Sequence, residues 1–104
     1  MKIDFSVVIP LYNKAKEIVH TLEGVASQRY APMEVIVVDD GSTDGGAELV
    51  EQMKAQLPTL QLIRRANGGV SVARNCGIVH ARGNYIALLD ADDFWKPEYL
   101  ERVT

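Results

Sequence analysis

A single cysteine, Cys76, is all that the 104 residues carry, so no disulfide can form within the chain, and a reducing, cytoplasmic setting is the expectation. Basic residues are sparse as well. The formal charge is −3 and the sequence pI about 5.3, and the only dense basic run is Arg64-Arg65, which argues against a nucleic-acid groove. No apolar stretch reaches the length of a membrane span. Lys2 and Asp4 flank the short run Phe5 to Leu11 with no small-residue cleavage pattern behind it, so no signal peptide is expected. The glycines match neither a phosphate-binding Walker loop nor the dinucleotide fingerprint, which removes two common nucleotide enzymes. What is present is an apolar fraction of 47% with a mean hydropathy near zero. That describes one globular domain with one core.

Apolar runs alternate with helical periodicities along the chain. Phe5 to Leu11 is a β-branched run, and Ile18, Val19, Leu22, Val25 and Ala26 then recur at helical spacing until about Gln28, before Pro32. Met33 to Val38 is a second strand, and Ala47, Val50, Met53 and Leu57 mark a second helix ended by Pro58. A weaker strand, Leu60 to Ile63, precedes a helix expected to carry Val72, Ala73, Cys76 and Val79 inward and to stop at Gly83. Tyr85 to Leu89 is the fourth strand. Continuously apolar strands are those buried on both faces. Their alternation with helices predicts a doubly wound α/β fold, a mostly parallel sheet with helices on both faces.

In such sheets ligands bind beyond the carboxyl ends of the strands, at the switch in strand order. The unusual sequences occupy those ends: Pro10 to Lys14, Asp39 to Asp44, Arg64 to Gly69 and Asp90 to Asp93. Asp90 and Asp92 stand two apart, so on extended backbone they point the same way and suit one hard divalent cation, Mg²⁺ or Mn²⁺. An acidic turn capping a helix begun near Pro97 is the other reading of the same residues. Asp39 and Asp40 are candidates to accept hydrogen bonds from a nucleobase or ribose, or else helix caps. Arg74, after the backbone-accessible loop Asn67-Gly68-Gly69, is a candidate phosphate partner or a structural ion pair. His20 and His80 read as structural or surface residues, Cys76 as a buried thiol, and Phe94 and Trp95 as core cover or the wall of a sugar pocket.

The stretches VVIPLYN, VDDGSTD, NGGVSVARNCG and GNYIALLDADD, in this order, resemble the nucleotide-binding half of family 2 glycosyltransferases of the GT-A fold, over nearly the whole chain. The resemblance implies sugar transfer from a nucleoside diphosphate donor with inversion, assisted by Mn²⁺ or Mg²⁺. Carried over by position, Pro10 and Tyr12 match the loop packing on base and ribose, Asp40 the aspartate contacting uracil, with Asp39 beside it, and Arg74 a basic position near the base. Asp92 matches the direct metal ligand, Asp90 a contact to ribose or metal water, and Asp93 lies behind them. Members of the family continue well past this length, and their later half supplies the acceptor site and general base. The chain is therefore expected to be the donor-binding piece, residues 1–104, of a longer enzyme. It would hold donor and metal without turnover, with a saccharide or lipid-linked acceptor bound elsewhere and no nucleic-acid partner. Membrane association of a longer protein and dimerisation through an open sheet edge are further expectations. Two other classes fit parts of the pattern. One is a non-catalytic nucleotide-sugar-binding module. The other is a receiver-type phosphotransfer domain, which would place paired acids after the first strand, where Pro10-Leu11-Tyr12 stand instead.

Overall fold

The computed structural model describes residues 2–104. Four strands, β1 (Phe5–Leu11), β2 (Glu34–Asp39), β3 (Leu60–Arg64) and β4 (Tyr85–Leu88), alternate with helices α1 (Ala15–Ala26), α2 (Gly46–Gln52) with a 3₁₀ turn at Met53–Ala55, α3 (Val70–His80) and α4 (Tyr99–Val103). All strand pairs are parallel, in the order β3-β2-β1-β4. The chain therefore winds outward from β1 to β3, then returns past β1 to β4. The expected doubly wound sheet is present.

Period-two alternation sorts each buried strand onto two cores. Val7, Ile9 and Leu11 of β1 and Val35 and Val37 of β2 meet Ile18, Leu22 and Val25 of α1 and Val50 of α2 on one face. On the other, Ile36 and Val38 meet Ala73 of α3. The second core is the smaller, and α3 approaches it through Gly77, where an added Cβ would overlap Val8 Cγ1. A helical glycine costs about 1 kcal/mol in propensity. Here it allows the close packing of helix on sheet.

Three sequence expectations change on this frame. Of the four α3 residues expected to face inward, only Ala73 is buried; Cys76 is half-buried, Val72 is exposed, and Val79 is 80% exposed. The shift follows from Gly77, which carries the contact that a larger stripe residue would have taken. The second concerns β4, read as a buried strand. It is an edge strand, with Tyr85 49% and Leu88 50% exposed, because the strand order gives it one neighbour only. Gly83 has a different task from the helix stop expected of it. α3 has already ended at His80, and a Cβ on Gly83 would overlap Asp4 O.

At the amino end of the sheet a buried carboxylate organises that approach. Glu34 accepts hydrogen bonds from Ser6 Oγ (2.6 Å), Gln61 Nε2 (3.1 Å) and the Arg82 backbone N–H (2.6 Å), and the Gly83 N–H donates to Ser6 Oγ (2.8 Å). Burial pushes the Glu34 carboxyl up, but the bonds from Ser6 and Arg82 together outweigh it and hold it below its ordinary 4.5. A depressed carboxylate pKa stabilises the fold above the ordinary value and ceases to do so as pH falls through the folded value.

Two measurements check this packing. Gly77→Ala should lower the unfolding free energy in urea, since overpacking costs about 1–3 kcal/mol and outweighs the propensity gain. Glu34→Gln should be less stable than the parent at neutral pH, with the difference shrinking as pH falls below the ordinary 4.5; thermal unfolding at a series of pH values would show a constant gap if Glu34 had no such role.

Candidate donor site at the carboxyl end of the sheet

The strand order reverses at β1, so a crevice opens between the loops that follow β1 and β4. A cavity of about 510 Å³ lies there, lined among others by Pro10, Tyr12, Lys14, Asp40, Arg74, Asp90 and Asp92. Six residues proposed from four separate sequence stretches thus meet at one place. Asp39 does not line it. That residue is buried beneath, its Oδ1 accepting the Ser42 N–H (3.2 Å).

Each wall of the cavity is held by a specific polar group. Asp40 is 2% exposed, and its carboxylate accepts the N–H groups of Gly68 and Gly69 (both 2.9 Å), with Arg65 Nε at 3.6 Å. It therefore shapes the glycine loop before α3 while still bordering the cavity. Neither Asp39 nor Asp40 caps α2, which begins after Gly45 with no side-chain cap. Asp44 serves instead as a tie between loops, accepting the N–H of Ala15 (2.9 Å), the first residue of α1, and that of Gly46 (3.0 Å). The Ala15 bond is the main cause of its lowered pKa. Asn13 completes the lacing: its N–H donates to Ser42 Oγ (3.0 Å) and its Oδ1 accepts the Thr43 N–H (2.9 Å). Its φ of 50° is left-handed backbone, which asparagine tolerates better than most residues.

The acidic segment is a turn and not an extended run, because the Asp93 N–H donates to Asp90 O (3.0 Å). Ala91 is buried between the acids, and Thr21 Oγ1 of α1 lies 2.7 Å from both Ala91 O and Asp93 O, so its one proton anchors the turn. Farther along α1, Gln28 Nε2 donates to Lys96 O (2.6 Å) and Gln28 Oε1 accepts the Leu100 N–H (3.0 Å). None of these acids caps α4, whose start carries no side-chain cap. The turned backbone sends the two carboxylates to different cations: Asp90 Oδ1 to Arg74 (3.0 Å) and Asp92 Oδ2 to Lys14 (3.3 Å). These pairs are roughly half-exposed, and such pairs are worth about 0.2–1 kcal/mol. They can exchange for a ligand.

Thr21 and Gln28 were not marked by sequence reasoning, while Lys14 and Asn67 stand in strand-end stretches that were, without a side-chain role assigned to them. Thr21 and Gln28 are polar residues on an apolar helix face, the one signal that could have drawn attention to them. Phe94 stacks on His20 (centroids 4.3 Å apart) and Trp95, which is buried, on Tyr99 (4.5 Å). Trp95 belongs to the larger core and, with Phe94, also lines a second cavity beside Arg74 and Asp90. Among the described residues no group of three or more His, Cys, Asp or Glu side chains gathers to hold a metal. Asp90 and Asp92 are two carboxylates lining one cavity, the kind of donor set that would hold Mg²⁺ if water and substrate phosphate completed its shell.

Comparison with known proteins agrees with the fold. The family model described as glycosyl transferase family 2 matches residues 6–104. The chain belongs to that family. It is 41% identical to the uncharacterized glycosyltransferase YibD of Escherichia coli (strain K12), over 92% of this chain and 28% of the relative. Its structure superposes on the crystal structure of S. aureus TarS 1-349 in complex with UDP-GlcNAc with a TM-score of 0.90 and 35% identity, covering 96% of this chain and 30% of that one. The mannosyltransferase PcManGT from Pyrobaculum calidifontis, in complex with GDP-Man and Mn²⁺, gives a TM-score of 0.89 at 31% identity, over 96% of this chain and 31% of that one. The chain thus spans less than a third of each of these family 2 relatives, in their Rossmann-like GT-A portion. No helix among the described residues is long and apolar enough to cross a membrane.

Replacing Asp40 by Ala should free the Gly68 and Gly69 amides, raising their hydrogen exchange and costing about 1–3 kcal/mol of stability for donors left unpaired. Exchange by mass spectrometry or NMR reads this directly, and unchanged rates would show that the loop is held otherwise.

Proposed function

We propose that these residues form the donor-binding part of a glycosyltransferase that moves a sugar from a nucleoside diphosphate, UDP-linked, to a saccharide or lipid-linked acceptor with inversion at the anomeric carbon. The observation that carries this reading is the meeting of Pro10, Tyr12, Asp40, Arg74, Asp90 and Asp92 around one cavity at the switch point. Its volume of about 510 Å³ suits a nucleotide-sized ligand. The TarS complex with UDP-GlcNAc supports uracil as the base and a nucleotide sugar as the partner.

Each residue then has a role suited to its chemistry. Tyr12, half exposed at the mouth of the cavity, presents a ring for base stacking beside Pro10. Asp40, already oriented by the glycine loop, accepts from the uracil imide, and Asp39 supports it from beneath. Arg74 gives Nη2 to Asp90, which leaves further N–H groups on its two terminal nitrogens for the donor's polar groups. Asp92, with Asp90, holds Mn²⁺ or Mg²⁺, the group that would offset negative charge developing on the diphosphate as the glycosidic bond breaks. A net acidic chain with two cations at the site is consistent with that division. No residue lining the cavity stands out as a base for an acceptor hydroxyl, so the base belongs to residues beyond these, and this chain binds donor without turning it over. A longer parent protein would work in the cytoplasm, with membrane attachment and pairing through the open β4 edge as further features of the assembly.

Calorimetric titration of UDP into the chain tests the reading. Binding should require Mn²⁺, weaken at least about tenfold (about 1.4 kcal/mol) on chelation or in Asp92→Asn, and be unaccompanied by sugar transfer in an assay with UDP-sugars. Binding indifferent to metal and to Asp92 would remove the metal role; absence of binding would overturn the donor site.

A further inference from the structure

Lys14 is the one cavity-lining cation whose place the motifs do not explain. Its backbone is fixed: it holds the N-cap position of α1, its carbonyl accepts the N–H groups of Glu17 (3.1 Å) and Ile18 (2.9 Å), and the residues on either side, Asn13 and Ala15, are tied to Ser42 and Asp44. Its side chain is free by comparison. The ammonium, on a four-carbon stem, sits 3.3 Å from Asp92 Oδ2 with both side chains about half exposed, in the same cavity as Asp40, Arg74 and Asp90.

We propose that Lys14 is the resident counter-ion of Asp92, and that it moves to the diphosphate of the donor when a divalent cation takes that carboxylate, making metal and nucleotide binding depend on each other. The inference rests on the donor-site reading above and deepens it. A divalent cation on Asp92, at either carboxylate oxygen, neutralises the charge that holds Lys14 and repels the ammonium lying 3.3 Å from Oδ2. Metal binding alone therefore releases Lys14 toward water, and the lost ion pair opposes it. When the donor is present, the displaced ammonium finds the diphosphate within the same cavity, and the loss is recovered as a new ion pair. By linkage, whatever factor the nucleotide adds to metal affinity the metal adds to nucleotide affinity. The pair formed by Arg74 and Asp90 does not do the same. Its guanidinium is planar and partly enclosed, with Nε buried, and is less able than a lysine stem to swing between partners.

The test measures Mn²⁺ binding by the loss of its free-ion electron paramagnetic resonance signal, with and without UDP, and UDP binding at saturating Mn²⁺. In Lys14→Met, Mn²⁺ alone should bind about three- to fivefold more tightly than to the parent, while UDP at saturating Mn²⁺ should bind more weakly by a similar factor, estimates set by the upper end of what one such ion pair is worth. The factor by which UDP tightens Mn²⁺ should fall accordingly. Lys14→Arg, which keeps the charge and controls for folding, should retain most of that coupling. Lys16→Met, which removes an exposed charge of the same helix, should leave all three values within about twofold of the parent, as expected for a screened surface charge. Unchanged values in Lys14→Met, tighter binding of both ligands, or the same pattern from Lys16→Met would each overturn the inference while leaving the donor site standing. Failure of the parent chain to bind UDP and Mn²⁺ at all would overturn the donor-site reading and this inference with it.

Discussion

A strand with no exposed surface governs the architecture. All seven residues of β1 are buried, since it is paired on both edges and covered on both faces, and a backbone in that position must satisfy every N–H and C=O within the sheet. The chain can meet that demand only by placing one parallel partner on each side. Doing so forces the reversal from β3 back across β1 to β4, and with it the transfer of the third helix to the opposite face. The crevice at the carboxyl end of β1 is a by-product of this reversal, because the loops after β1 and β4 leave the sheet toward different helices.

Carboxylates in this molecule divide by burial into two kinds of task. Glu34, Asp39 and Asp40 are almost fully buried, and each accepts hydrogen bonds from backbone N–H groups or side chains of a neighbouring element, the condition under which a buried charge is tolerated. They fix loops. Asp90 and Asp92 are exposed at the cavity, where Arg74 and Lys14 meet them. Pairs this exposed hold their partners weakly, which would suit the donor site proposed above. Asp40 stands between the two classes: it holds the glycine loop and also borders the cavity, so loop shape and ligand contact are linked through one side chain.

The acidic turn illustrates how a site is positioned from behind. The Asp93 N–H closes the turn on Asp90 O, the hydroxyl of Thr21 on the inner face of α1 anchors it, and the amide of Gln28 fixes the segment that follows, at Lys96 and Leu100. Both are buried polar groups that hydrogen-bond to segments far away in sequence. Their cost in desolvation is offset only when those bonds form, so the packing of α1 and the placement of the acids are one event.

The order of the elements, the parallel sheet and the family were legible in the residues themselves, because continuous apolar runs, helical periodicity and loop motifs are local signals that survive without coordinates. The gathering of Pro10, Tyr12, Asp40, Arg74, Asp90 and Asp92 was legible for the same reason: topology sends the carboxyl ends of parallel strands to one place. Tertiary structure alone decided that Gly77 and not Val79 faces the sheet, that β4 is an edge, that Asp44 ties the first residue of α1 to the first residue of α2, and that Lys14 and Arg74 divide the two aspartates between them. Those outcomes depend on which distant backbone comes within hydrogen-bond or van der Waals reach, a distance that no spacing along the chain records.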